Sequence, residues 1–443
     1  MRGTMFAYYF NLGLRSLRRN VVLTVLMIAA IAVGIGASMT TLTVFRAMSG
    51  DPIPQKSSQL YAPQIDNWGP ERRVIGSSSP DGLEAQLSYI DATALMKGGA
   101  AKRQSVMYAA SLWLRPSDPK QKPSKVLARA AYRDFFPMFG VPFRYGGPWT
   151  TADDENRSAV VVIGKEVNDK LFGGGNSVGK TIRLDNDTYM VSGVLDDWKL
   201  TPRFYDLNLK PFGDADAVFL PFTRAIDKQI HSIGNSSCTG EGGSGWEGQL
   251  RSECIWLQYW VELPTRADVQ NYRAYLNNYA AEQQRLGRFH WPAHTQLRDV
   301  RQWLQYLHVV PNEARILILV SFGFLLVCLM NAMGLMLAKI MRRAVDIGVR
   351  RALGATRRAI FAQCLIETGV VGLVGGLLGL LLTALGLWAA RSLLIEDYSA
   401  LAHLDIADTA IAVLLAVAAS ALAGLYPTWR AAQVQPAWQL KVQ

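Results

Sequence analysis

The sequence predicts a membrane protein with four transmembrane α-helices and a large mixed α/β extracytoplasmic domain between the first two helices. Two observations predict this class. Of the 443 residues, 50% are hydrophobic, yet charged residues are missing from several long segments. The net charge is +11, and the excess of basic residues lies in short stretches beside those segments. Because a helix needs about 20 apolar residues to cross a bilayer, the uncharged segments indicate membrane spans.

Four segments are candidates for these spans. Residues 21–45 and 316–338 contain no charged residue, and residues 360–390 contain only Glu367. Residues 407–428 are rich in alanine and leucine and predict a fourth span. The first segment is longer than the apolar core of a signal peptide, which has about 7–15 residues. We therefore expect it to remain in the protein as an anchor.

The positions of the basic residues predict the orientation of these spans. Residues 1–20 carry four arginines and no acid, and residues 339–359 carry seven basic residues against one acid. Residues 391–406 hold one arginine against three acids. Because basic residues stay on the cytoplasmic side, both the N-terminal segment and the tail (residues 429–443) are predicted to be cytoplasmic. Residues 46–315 and the short 391–406 loop are then external.

The external region, residues 46–315, predicts an α/β domain. Its 32 basic and 29 acidic residues nearly balance, so we expect no nucleic-acid partner. Ala159–Gly164 is a short β-branched run typical of a buried strand, Lys165–Phe172 has a helical pattern, and Thr181–Leu195 predicts a hairpin. Residues 265–310 look largely helical and predict a stalk that leads into the second span.

The segment Gly174–Thr181 matches the phosphate-binding pattern G-x-x-x-x-G-K-[ST] literally. That pattern binds phosphate where a strand enters the loop and a helix leaves it. Here a predicted helix enters and a predicted strand leaves, on the external side of the membrane. We therefore expect a Gly-rich turn, with no ATPase site, catalytic residue, metal site or directly bound cofactor in this chain.

Two cysteines in the external region, Cys238 and Cys254, flank a Gly/Ser-rich segment. Disulfides persist in extracytoplasmic compartments. The sequence leaves open a bridge or two free thiols, because it does not contain the geometry of the sulfur atoms.

The loop between the second and third spans predicts a short amphipathic basic helix. Ala344, Ile347 and the pair Ala352–Leu353 fall at helical spacings, with arginines around them. This pattern is compatible with an anchor on anionic lipid or with a docking helix for a cytoplasmic partner. Thr356 follows the break and can cap the third span.

The third span contains two overlapping G-x-x-x-G pairs, Gly372 with Gly376 and Gly375 with Gly379. Such pairs permit close helix approach, either within the chain or across a dimer. Glu367 near the cytoplasmic end of this span is either a functional acid or the partner of a nearby arginine.

Three segments together resemble the MacB/FtsX-like permease family of ABC transporters. Arg342–Gly379 is similar to that family's loop and third-helix pattern. Residues 128–194 are similar to the MacB-type periplasmic core domain, in which the Gly174–Thr181 turn recurs. Tyr426–Lys441 is similar to the family's C-terminal pattern.

This resemblance implies the permease subunit of an ABC-type efflux or mechanotransmission complex in the bacterial inner membrane, acting on an extracytoplasmic substrate or partner. It implies a second permease chain, as a homodimer or heterodimer, and a cytoplasmic ABC ATPase. MacB carries a fused ATPase, whereas this chain begins about 20 residues before its first span, so we expect a separate ATPase that supplies ATP and Mg²⁺. Whether a periplasmic adaptor and an outer-membrane channel also take part is left open by the sequence.

Carried onto this sequence, the resemblance implies an ATPase-coupling helix in the cytoplasmic loop. Its residues are Arg342, Arg343, Asp346, Ile347, Gly348, Arg350, Arg351, Leu353, Gly354, Ala355 and Thr356. Two alternatives remain open for the whole protein: a lipoprotein-releasing permease, and a membrane-anchored sensor or scaffold that uses the external domain as a binding module.

Overall fold

The computed structural model describes residues 21–69, 81–116, 122–239, 243–292 and 294–393, with isolated positions between 410 and 429. The chain divides into two compact units. One comprises Met1–Ser49 with Pro311–Gln443, and the other comprises Gly50–Val310.

The described helices follow one another along the chain from the first apolar segment to the third. They are α1 (Val21–Ser49), α2 (Tyr89–Gly98), α3 (Phe135–Met138), α4 (Thr151–Glu155), α5 (Lys165–Phe172), α6 (Phe222–Asp227), α7 (Gly245–Arg251), α8 (Arg266–Arg285), α9 (Val300–Tyr306), α10 (Asn312–Met341), α11 (Ala344–Ala352) and α12 (Arg357–Leu393).

The described strands all lie between α1 and α10. They are β1 (Leu60–Ile65), β2 (Leu87–Ser88), β3 (Arg103–Arg115), β4 (Ser124–Ala131), β5 (Phe143–Gly146), β6 (Val160–Ile163), β7 (Thr181–Leu184), β8 (Asp187–Leu195), β9 (Val218–Pro221), β10 (Ile255–Glu262) and β11 (Thr295–Asp299).

In the first unit, α1, α10 and α12 are each long and apolar enough to cross a membrane. Each helix contains one predicted span and extends a few residues beyond it at one or both ends. The fourth predicted span, residues 407–428, lies outside the described residues except for isolated helical positions. Both α10 and α12 pack against α1, through a shared cluster of apolar side chains that includes Ile31, Ile35 and Leu325.

The second unit is built on a mixed sheet. Its main path runs β11-β1-β10-β3-β4-β9-β6-β8-β5, while β2 pairs with β10 and β7 pairs with β3 and β8. Most neighbours are antiparallel, but β4 with β9 and β6 with β8 are parallel. The Thr181–Leu195 hairpin is confirmed as β7 and β8, with Leu184 opposite Asp187.

The sheet is buried on both faces. Along β6, Val161 and Ile163 belong to one apolar cluster, while Val160 and Val162 belong to the other. Because successive side chains of a strand point to opposite faces, these clusters lie on the two sides of the sheet. The continuous apolar run at Ala159–Gly164 is explained by this double burial, and the predicted strand and the helix α5 after it are both confirmed.

The prediction of a largely helical 265–310 segment is wrong in one part. Between α8 and α9 the chain forms β11, which pairs with β1 from Tyr61–Asp299 to Ile65–Thr295. This strand lies at the edge of the sheet and reads TQLRD, with only Leu297 fully buried. An edge strand with one buried residue has too little apolar alternation to be recognised from sequence.

A buried ionic network joins this sheet to the loop before β9. Arg129 on β4 donates hydrogen bonds to Asp206 and to both carboxylate oxygens of Asp216, at 3.0 Å for the latter. Burial alone would raise the pKa of Asp216, but Arg129 and Arg203 hold it below its usual value. Every charge in the network therefore has an opposite charge beside it, as buried ions require.

Candidate functional site

The basic segment between α10 and α12 forms the helix α11, which is separated from α10 by the two turn residues Arg342 and Arg343. Beyond α11, Gly354 adopts φ +101°, a conformation that glycine reaches without steric cost. Thr356 then accepts a hydrogen bond from the Ala359 N–H at 3.2 Å, which is the expected N-cap contact at the start of α12. The sequence thus sets both the stop of one helix and the start of the next.

The side chains of α11 divide between two faces. Ile347 and Arg350 share one face with Arg343, the residue directly before the helix, because residues spaced by three, four and seven lie together. Ile347 packs against the apolar cluster formed by α1, α10 and α12. On the other face, Val345 and Val349 are 63% and 48% exposed.

The residues of the predicted apolar face differ in their exposure. Leu353 was grouped with Ile347, but its side chain is 82% exposed and follows the line of Val345 and Val349. We call these three residues the exposed apolar strip. Leu353 directly follows the last residue of α11, and its N–H still donates to the Val349 carbonyl at 3.0 Å. The side chains of Asp346 and Arg351 lie outside the described residues.

A cluster of charges lies where α11 leaves α10. Glu367 on α12 forms an ion pair with Lys339 on α10, and its carboxylate is 3.7 Å from the Arg343 guanidinium. The Lys339 ammonium also lies 3.4 Å from the Thr24 hydroxyl on α1. Glu367 is thus engaged in an ion cluster that contacts three long helices and the first turn towards α11.

A second polar contact lies further along α11. Arg350 donates a hydrogen bond at 3.3 Å to the side-chain oxygen of Gln363, one turn before Glu367 on α12. Sequence reasoning missed Lys339 and Gln363 as site residues. These contacts join residues of different helices, and no local spacing in the sequence identifies them.

Two of the predicted packing glycines face α1 of the same chain. A Cβ atom at Gly375 would lie 2.9 Å from Ile31, and one at Gly379 would lie 2.9 Å from Ile35. Gly372 is buried as well, as is Gly376. The first two glycines therefore allow α12 and α1 to approach closely within one chain.

The Gly174–Thr181 segment connects α5 to β7, so a helix enters it and a strand leaves it. Its amides are engaged locally: the Gly179 N–H donates to Val191 and the Lys180 N–H to Ser177. The Lys180 ammonium lies 5.0 Å from the centre of the Phe172 ring. This is the geometry of a closed turn, whereas a phosphate loop points its amides and lysine at the ligand.

The structure places Cys238 and Cys254 in a disulfide that closes the loop around α7. Glu253, beside Cys254, accepts hydrogen bonds from Asn67, from the Trp68 indole and from Arg288. The bridge thus closes a loop whose C-terminal end is also held in place by the hydrogen bonds to Glu253.

Comparison with known proteins gives two matches to family models. Residues 24–279 match the MacB-like periplasmic core domain, and residues 318–436 match the FtsX-like permease C-terminal domain. Three apolar helices with a periplasmic-type α/β domain fit a membrane permease. The chain belongs to the MacB/FtsX-like permease family, and the predicted resemblance is confirmed.

Curated relatives agree with this assignment. The chain is 25% identical over 433 residues to the macrolide export ATP-binding/permease protein MacB of Azoarcus sp. (strain BH72), covering 96% of this chain and 58% of the relative. It is 25% identical over 439 residues to the protein of the same name from Rhodospirillum rubrum, covering 97% of this chain and 59% of the relative. The chain thus spans less than two thirds of the length of these relatives.

A solved structure is also similar to this chain. The superposition with the crystal structure of the periplasmic region of MacB from Actinobacillus actinomycetemcomitans covers 58% of this chain and 95% of that one. The sequence identity is 15% and the TM-score is 0.37. The family assignment depends on the sequence matches.

Proposed function

We propose that this chain is the transmembrane subunit of an ABC-type efflux or mechanotransmission complex, driven by a separate cytoplasmic ATPase. The observation that carries the proposal is the exposed apolar strip on α11. Val345 and Val349 on this basic helix and Leu353 directly after it are large exposed apolar side chains, and Arg342 and Arg350 are exposed as well. Contiguous exposed apolar side chains with a polar rim are typical of an interaction surface.

The placement of α11 supports a mechanical role for this surface. It lies between two membrane-length helices, and its inner face contacts both of them through Ile347 and the charged cluster. A partner that moves α11 would therefore act directly on α10 and α12. ATP and Mg²⁺ would bind to the partner. In the Gly174–Thr181 turn of this chain, the N–H groups of Gly179 and Lys180 already donate to backbone carbonyls.

The proposed topology follows from the basic flanks. Residues 1–20, 339–359 and 429–443 would lie in the cytoplasm, and the α/β unit would lie outside the membrane. A second permease chain, identical or related, would complete the complex. Substrate recognition would then fall to the extracytoplasmic unit or to a protein bound there.

The test is co-purification of an ABC ATPase with the chain from its native membranes in mild detergent. Val349→Asp places a charge in the exposed apolar strip, and we expect at least a tenfold loss of ATPase recovery, which corresponds to about 1.4 kcal/mol. Leu286→Asp is the matched control, since Leu286 is 72% exposed in the α/β unit. Equal recovery with both variants would contradict the proposed docking surface.

A further inference from the structure

Glu367 connects the exposed helix α11 to the membrane-length helices. Arg343 directly precedes α11 and lies about two turns from Arg350 on α11, and on α12, Gln363 and Glu367 are about one turn apart on one face. The contacts Arg350–Gln363 and Arg343–Glu367 are 3.3 and 3.7 Å long. The two helices are thus joined by two polar contacts that involve both ends of α11, in addition to the turn at Gly354.

Glu367 also holds the end of α10. Lys339 is 1% exposed and Glu367 is 6% exposed, and they are joined in an ion pair. A buried ammonium without an opposite charge is strongly destabilising, and among the described residues Glu367 is the carboxylate that pairs with Lys339. A single acid therefore serves two cations, one on α10 and one in the segment that leads into α11. Displacing α11 must either weaken the Arg343 contact or move Glu367 and Lys339 with it.

An apolar pair would fill the same space at lower cost if the cluster served stability alone. Replacing a buried ion pair by apolar residues of similar volume is often neutral or stabilising, whereas removing one partner is strongly destabilising. Ionisable residues within spans also mark functional positions more often than packing positions. The buried Lys339–Glu367 pair is therefore better explained by a role in transmitting motion than by stability alone.

We propose that Glu367 is a positioning residue that locks α11 to α10 and α12, so that displacement of α11 by the ATPase is passed to the membrane helices. The proposal rests on the proposed function for its ATPase. Its geometric part, the position of α11 against α12, is a property of this chain alone.

The first experiment measures that position in the purified chain without any partner. Spin labels are attached through non-cysteine chemistry at Val349 on α11 and at Leu373 on α12, two exposed positions. We expect one narrow distance distribution in the unsubstituted chain and in Glu367→Asp, and a distribution at least twice as wide in Glu367→Gln. An unchanged distribution in Glu367→Gln would overturn the proposal, whatever the outcome with the ATPase.

The second experiment measures coupling in nanodiscs with the co-purified ATPase. We expect Glu367→Gln to bind the ATPase within twofold of the unsubstituted chain, while the stimulation of ATP hydrolysis by the chain falls at least fivefold. The double variant Lys339→Met/Glu367→Leu is expected to have the thermal midpoint of the unsubstituted chain. Its stimulation of ATP hydrolysis is expected to stay as low as that of Glu367→Gln. Restoration of both by the double variant would overturn the proposal and assign the cluster to stability.

These outcomes are distinguishable from a failure of the proposed function. If no ATPase binds the unsubstituted chain, the proposed function is wrong, and the distance measurement alone decides whether Glu367 positions α11. If the ATPase binds and Glu367→Gln changes neither distance nor stimulation, the proposed function stands and this inference is wrong.

Discussion

Replacing Gly375 by alanine is expected to strain the contact between α12 and α1. A Cβ atom there would lie 2.9 Å from Ile31 Cγ2, 3.0 Å from Ile31 Cβ and 3.4 Å from the Ile28 carbonyl oxygen. Because a β-branched side chain has little χ1 freedom in a helix, Ile31 cannot turn away. Overpacking of this kind costs about 1–3 kcal/mol, and the same reasoning applies to Gly379 beside Ile35.

The matched control is Gly369→Ala on the same helix, where the new Cβ meets nothing within 4 Å. Both substitutions gain the same helix propensity of about 1 kcal/mol, so their difference isolates the packing cost. We expect Gly375→Ala to be less stable than Gly369→Ala by about 1–3 kcal/mol. The assay is the thermal midpoint of the monodisperse chain in detergent. Equal midpoints would refute the packing between α1 and α12.

Three further predictions concern other parts of the chain. In denaturant, alkylation without reduction should modify two of the four cysteines, and reduction should add Cys238 and Cys254; four reactive thiols at the start would contradict the bridge. Arg129→Met should lower the free energy of unfolding of the α/β unit by about 3–5 kcal/mol in urea, because buried Asp206 loses the cation beside it and buried Asp216 keeps only Arg203. Since the pKa of Asp216 is lowered from 3.8, this stabilisation is complete above that pH and is lost as the pH falls through the lowered value; an unchanged urea midpoint in Arg129→Met at pH 7 would contradict it. Chain purified without partners should not hydrolyse ATP, and robust hydrolysis that disappears in Lys180→Ala would contradict the closed turn.

The sequence predicts best the elements that carry a long or regular pattern. The predicted spans at 21–45, 316–338 and 360–390 all fall within observed helices. They could be recognised because a helix that crosses a bilayer needs a long run of apolar residues. The β6 strand and the β7–β8 hairpin were also predicted, since their apolar pattern reflects burial on the two faces of the sheet. The edge strand β11 was missed because its residues are mostly polar.

The sequence predicted most of the residues that form the candidate site, but it did not predict which of their side chains contact each other. The arginines and the Thr356 cap could be recognised from local spacing. The pairing of Glu367 with Lys339 joins two helices across 28 positions, and no local pattern records which of several basic residues is the partner. Likewise, the local pattern did not distinguish Leu353, which is exposed, from Ile347, which packs against the apolar cluster.

The most direct test of the central proposal is a photo-cross-link from the exposed apolar strip. A photoreactive amino acid is introduced at Val349 in cells that make the native complex, with Leu319 on the apolar helix α10, which is 74% exposed, as the control position. We expect a cross-linked product containing an ABC ATPase from Val349 and none from Leu319. Equal cross-linking at both positions, or no ATPase product from Val349, would contradict it.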